Sequence, residues 1–244
     1  MKRKGICKGL AVLVALIIAG NCVGSPVETY AGSVSGSVKK IAIDAGHQQS
    51  GDSSTEPIGP GASTRKAKVA GGATGVATRT PEYKLTLKVA KKLRKELEAR
   101  GYEVVMIRTS NHVNISNKQR AKIANKSGAD ICIRIHADGS SSSSVRGASV
   151  LYPSTRNPYV GRLSKSSKRL SRCLIHKYCK KTGIRNRGLS ERDDLTGTNW
   201  SKIPVSLIEL GFLSNPTEDR LMQKADFQTK MAKGIADGVD AYFR

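Results

Sequence analysis

Four side chains in this sequence have the types and the placement to carry out a hydrolysis together: His47, Glu82, His136 and Glu209. His47 follows the apolar run IAIDAG (41–46), and His136 closes another, DICIRIH (130–136). Glu209 stands near the end of a third run, PVSLIEL (204–210). A carboxylate gains nothing there from packing, because burying one without a partner is costly. Glu82 opens a helical stretch. Two imidazoles and one carboxylate form a catalytic zinc set that leaves a coordination position open. A second carboxylate beside them can take a proton from water and pass it to a leaving amine. Residue type alone does not say which carboxylate is the ligand. Taken singly, each residue has a plainer use, such as a turn histidine or a glutamate favoured by a helix dipole. The remaining histidines, His112 and His176, fall in a loop and a helix and read as non-ligands.

What raises the four together is the set of elements that must carry them. Lys40–Asp44, Glu103–Thr109, Asp130–His136, Ala148–Tyr152 and Pro204–Leu210 read as strands. A helix runs from Thr80, which can cap it, through Pro81 to a stop at Gly101, with Leu85, Val89, Leu93 and Leu97 recurring every four residues. Ser116–Lys126, Tyr159–Lys181 and Ala225–Phe243 are further helices. Strands alternating with helices imply an α/β fold, with a twisted, mostly parallel central sheet of about six strands and helices on both faces. Sites in such sheets lie at the carboxyl ends of the strands. His47, His136 and Glu209 fall at that edge, and the Glu82 helix starts there. Gln48–Thr80 is rich in Gly, Ser, Thr and Ala with little periodicity; it reads as a long loop, expected to be a mobile rim or lid over the cleft.

The N-terminus has a different character. Lys2, Arg3, Lys4 and Lys8 precede an apolar stretch from Gly9 to Gly20, and small residues follow. This is the layout of a secretory signal peptide, read as residues 1–31 with cleavage between 24 and 32. A short linker, 32–39, leads into a catalytic domain at 40–244. The apolar stretch is short for a membrane span, which needs ~20 residues, so a secreted or wall-associated protein is expected rather than an anchored one. Cys7 and Cys22 leave with the signal, while Cys173 and Cys179 are six apart in a helix, too far for a disulfide. Three free thiols and no disulfide framework are therefore expected. The formal charge is +23, and removing residues 1–31 takes away four basic residues and one acidic residue, leaving +20. Such a field attracts polyanions. No nucleic-acid-reading motif is present, so nucleic acid is not the expected partner; anionic wall polymers fit an exported protein better.

Four stretches carry a resemblance: IAIDAGH (41–47), PEYKLTLKVAKKLRKELEARGYEVVMIRTSN (81–111), QRAKIANKSGADICIRIHAD (119–138) and IPVSLIELGFLSNPTEDRLM (203–222). In this order they resemble the zinc-dependent N-acetylmuramoyl-L-alanine amidase family (amidase_3 type), over essentially the whole expected domain. The resemblance implies one zinc ion on His47, Glu82 and His136, with Glu209 as the catalytic carboxylate. It also implies peptidoglycan as the substrate, cut between the lactyl group of N-acetylmuramic acid and the first L-alanine. Two departures stand out. The Gln48–Thr80 loop is longer than the family's connection, so Glu82 must be weighed against Glu56; Glu82 is preferred because it alone precedes the matching amphipathic helix. Asp138 stands where the family commonly has asparagine, which bears on substrate preference. Two other readings are a zinc peptidase acting on stem peptides and a non-catalytic module that binds through charge alone.

Overall fold

The computed structural model describes residues 37–244. The expected signal peptide and most of the linker lie outside the described residues.

The buried runs make the sheet. Its strands are β1 (Lys40–Ala45), β4 (Glu103–Met106), β5 (Ile131–Asp138), β6 (Ala148–Tyr152), β7 (Asn186–Glu191) and β8 (Val205–Phe212). They lie in the order β4-β1-β5-β8-β6-β7. β4, β1, β5 and β8 are mutually parallel, while β6 pairs antiparallel with β8 and β7 runs parallel to β6. The expected six-stranded, mostly parallel α/β sheet is what forms, with two strands reversed at one side.

Alternation along the strands divides the molecule into two layers. Ile41, Ile43, Ile131, Ile133 and Ile135 face the larger core, under α1 (Glu82–Ala99), α3 (Ser164–Thr182) and the C-terminal helix Ala225–Phe243. Ala42, Cys132 and Val205 face the other way and pack with Ala124 of α2 (Asn117–Lys126). Small residues on this second face bring α2 close to the sheet. Among the described residues no helix is long and apolar enough to cross a membrane. Cys132, Cys173 and Cys179 are free.

Several expected boundaries shift for physical reasons. Thr80 does not cap α1: Pro81 occupies the cap position without a side-chain bond, and the Glu82 amide is satisfied by the Ala73 carbonyl at 2.9 Å. Ser116 caps α2 in a reciprocal capping box with Gln119. The strand after α1 stops at Met106, because Arg108 turns inward to bond the β1 turn. The largest correction is Gln48–Thr80. It is not a structureless loop but holds an antiparallel hairpin, β2 (Asp52–Pro57) and β3 (Arg65–Val69), with the buried Glu56 receiving hydrogen bonds from Ser116 Oγ (2.6 Å) and the Lys118 amide (2.9 Å).

Candidate active site

The chain leaves β1 through Ala45 and Gly46 and places His47 at φ 58°, a left-handed conformation that costs a non-glycine residue on the order of 1–2 kcal/mol. Buried guanidinium groups hold it there. Arg108 donates to the carbonyls of Ala45 (2.8 Å) and Gly46 (3.0 Å), and Arg120 donates to those of Ala45 and His47 (both 2.9 Å). Asp44, also buried, pairs with Arg120 at 2.8 Å and with Arg134 at 2.9 Å. Burial alone would raise the Asp44 carboxyl, but the two guanidinium groups outweigh it and hold that carboxyl well below the usual range. Burial, reinforced by Arg120, presses Arg108 down to about 10.

On this base three donor atoms converge. His47 Nε2 lies 3.2 Å from Glu82 Oε1, His136 Nδ1 lies 3.1 Å from the same oxygen, and the two ring nitrogens are 3.1 Å apart. Glu82 is oriented by two amides: Ala137 donates to Oε1 at 3.0 Å and Ala73 to Oε2 at 2.9 Å. His47 Nδ1 donates to the Ala70 carbonyl at 2.8 Å, which leaves Nε2 as a bare lone pair in the neutral ring. His136 Nε2 is sealed without a partner. That ring is fixed by packing instead, since a Cβ on Gly46 would lie within 2.7 Å of three of its atoms.

The electrostatics fit a cation at the point of convergence. Burial would raise Glu82, but the hydrogen bonds and charge of His136 and His47 reverse this and hold it far below the carboxylate range. Burial lowers His136 to about 4, so its ring is neutral near neutral pH. Burial would lower His47 too, but Glu82 outweighs it and raises the ring. Three acceptors facing one another are stable only around a shared positive charge. Ligands ~2.0–2.1 Å from a tetrahedral zinc stand roughly 3.3 Å apart, close to the observed triangle. Among the described residues this is the one His/Cys/Asp/Glu group with such convergence. Glu82, not Glu56, is the carboxylate brought to the imidazoles.

Glu209 sits one strand over, the register partner of His136. Its Oε2 is sealed from solvent and has no hydrogen-bond partner. Burial pushes its carboxyl well above the usual range, Glu82 and Asp138 push it further, and Arg134 and Arg192 pull against them. A groove of about 440 Å³ opens over these residues. Arg134, Leu151, Leu207 and Glu209 line it, between the hairpin at Lys66 and Val69 and the segment after β7. Lys66 reaches from the hairpin to Asp194 at 2.6 Å, and Arg192 holds the same carboxylate at 2.7 Å. His112 and His176 are exposed, away from the cluster.

Sequence reasoning missed the supporting parts: the Asp44–Arg120–Arg134 network, Arg108, and the Ala70–Ala73 backbone beside the site. Gly72 was the available signal. At φ 80°, with a Cβ position 2.9 Å from both Glu82 Oε2 and His47 Cγ, it has to be glycine.

The chain is similar to known proteins over most of its length. The family model for N-acetylmuramoyl-L-alanine amidase matches residues 41–241. The amidase LytC of Bacillus subtilis is 30% identical over 163 residues, 67% of this chain but 31% of that protein. An N-acetylmuramoyl-L-alanine amidase of Mycobacterium tuberculosis is 28% identical over 95% of this chain and 96% of its own length. The crystal structure of the amidase Ami1 from Mycobacterium smegmatis superposes with a TM-score of 0.76 at 26% identity, covering 84% of this chain and 96% of that one.

Proposed function

The chain belongs to the N-acetylmuramoyl-L-alanine amidase family, and from that premise we propose that it is an exported zinc enzyme acting on peptidoglycan. It cuts the amide between the lactyl group of N-acetylmuramic acid and the L-alanine of the stem peptide. His47, Glu82 and His136 hold one zinc ion, and Glu209 is the general base and acid. The observation that carries this reading is the 3.1–3.2 Å triangle of His47 Nε2, His136 Nδ1 and Glu82 Oε1, with the unpartnered Glu209 Oε2 on the neighbouring strand.

Zinc, when bound, supplies Lewis-acid polarisation of the amide carbonyl and makes water a nucleophile near neutral pH. The chain's own residues do the rest. The Glu209 carboxylate takes a proton from the attacking water. As the C–N bond breaks, it returns that proton to the departing L-alanine nitrogen, leaving a lactyl acid and a free amine. Burial that raises the Glu209 carboxyl and cations that lower it suit a group that must both accept and release a proton. The groove walls at Lys66 and Arg192 supply positive charge toward a substrate whose stem peptide carries carboxylates. The basic and apolar residues at the N-terminus support export.

The test is digestion of purified peptidoglycan followed by mass spectrometry. The expected products are free stem peptides beginning at L-alanine and intact glycan bearing lactyl acids. New amino termini inside the stem peptide would mean a peptidase. Undiminished activity in protein shown by metal analysis to be zinc-free would remove the metal from the account.

A further inference from the structure

From Gly139 to Ser190 the sequence carries twelve Lys and Arg residues and no Asp or Glu. α3 lies in this stretch, and each of its exposed residues is basic or histidine. Arg162, just before the helix, continues into Lys165, Arg169, Arg172, His176 and Lys180, spaced three or four apart and therefore on one face. At ~1.5 Å per residue this row is about 27 Å long. A concave surface of about 600 Å³ runs along its first half, lined by Arg162, Lys165, Ser166, Lys168, Arg169 and Arg172. Among the described residues the one ion pair made by α3 is at its far end, Lys181 with Asp237 at 3.4 Å. α1 differs in carrying acids among its bases, Glu96 and Glu98, which pair with Arg100 and Arg94, although Lys84, Lys88, Lys91 and Lys95 make no ion pair among the described residues. Like charges at this spacing repel, so an uncompensated row is held at a cost that a polyanion would relieve.

We infer that the α3 groove is a binding site for a linear phosphodiester polymer of the cell-wall type, separate from the catalytic groove. Charge complementarity selects a polyanion, and the narrow row selects a linear one. A membrane surface suits it less well, because the large apolar side chains exposed among the described residues are Val38, Val76 and Ile123, none of them on α3. Nucleic acid lacks a stacking platform, since Tyr152 and Tyr242, the aromatics beneath Lys168 and Arg169, are buried. Position then links binding to function. α3 covers the sheet face of Ser206 and Leu210, bonding them through Ser171 and Tyr178, whereas Leu207 and Glu209 point into the catalytic groove on the other face. A polymer on α3 therefore leaves the cleft open. The inference deepens the wall-acting role proposed above and rests on it for the choice of polymer.

The experiment compares two triple variants of equal charge, Arg162→Gln/Lys165→Gln/Arg172→Gln on the α3 row and Lys88→Gln/Lys91→Gln/Lys95→Gln on α1. The probe is lipid-free poly(glycerol phosphate), titrated at several salt concentrations. The α3 triple should bind at least tenfold more weakly. Its log–log salt slope should be shallower by on the order of two, because fewer counterions are released. The α1 triple should stay within threefold of wild type. Equal losses in both triples, or no loss in the α3 triple, would overturn the assignment. So would binding to phosphatidylglycerol vesicles with none to the polymer. Hydrolysis of a soluble muropeptide by the α3 triple should be unchanged. An inactive wild type would count against the amidase reading alone, and a loss of hydrolysis confined to the α3 triple would count against the separation of the two sites.

Discussion

Gly46→Ala disturbs the site without replacing any side chain that does chemistry. The added methyl would lie 2.5 Å from His136 Cε1, 2.6 Å from Nε2 and 2.7 Å from Nδ1. Non-bonded carbons rest about 3.5–4.0 Å apart, so the ring must retreat by roughly 1 Å. The main chain cannot easily move instead, because the Gly46 amide is bonded to Ile135 at 2.9 Å and its carbonyl accepts from Thr86 and Arg108. Metal ligation tolerates about ±0.2 Å, so His136 would leave the ligand set. Overpacking costs ~1–3 kcal/mol of stability. Loss of a ligand's support lowers metal affinity by at least 10–100-fold. The assay is zinc titration against a chromophoric chelator, with circular dichroism to confirm the fold. Gly71→Ala is the control, since a Cβ there meets nothing within 4 Å. Gly46→Ala should fold and bind zinc weakly, and Gly71→Ala should match wild type. Wild-type zinc affinity and turnover in Gly46→Ala would refute the packing argument.

Asp44→Asn should destabilise the protein by about 3–5 kcal/mol in urea unfolding, because it strands the buried Arg120 and Arg134 charges. The Asp44 carboxyl is depressed in the folded state, so its contribution is present above the unfolded carboxyl range and lost as pH falls toward the folded value. The variant should accordingly lose less stability than wild type between pH 5 and pH 2, and parallel acid limbs would contradict this. Asp194→Ala removes the anchor shared by Lys66 and Arg192. Both ion pairs are largely exposed, so the unfolding free energy should change by no more than ~1 kcal/mol. KM for muropeptides should change as the hairpin loosens over the groove, and unchanged kinetics on every fragment would make this bridge passive.

How much of this was legible depended on burial. KIAIDA, ICIRIHAD and VSLIELGF are apolar along most of their length because both faces are covered, and each was readable as a strand. β2, β3 and β7 read DSSTEP, RKAKV and NRGLSE. They lie in an exposed hairpin and at a sheet edge, where no core imposes a pattern, so the hairpin passed for a loop and β7 went unnoticed. His47, His136 and Glu209 were legible because strand ends in an α/β sheet mark one edge, and Glu82 because a helix start marks the same edge. The guanidinium support was not legible. Arg120 and Arg134 are 76 and 90 residues from Asp44, and such pairings are settled only by the tertiary fold.

The central claim is that Glu82 holds the metal while Glu209 moves the proton, and one pair of measurements on the same samples tests it. Zinc content and peptidoglycan hydrolysis are determined for Glu82→Ala and Glu209→Gln. Glu82→Ala should lose zinc and activity together, because one of three protein ligands is gone. Glu209→Gln should keep the fold and one zinc per chain while turnover falls by on the order of a hundredfold or more. Normal hydrolysis by Glu209→Gln, or loss of its zinc while Glu82→Ala retains the metal, would contradict the account.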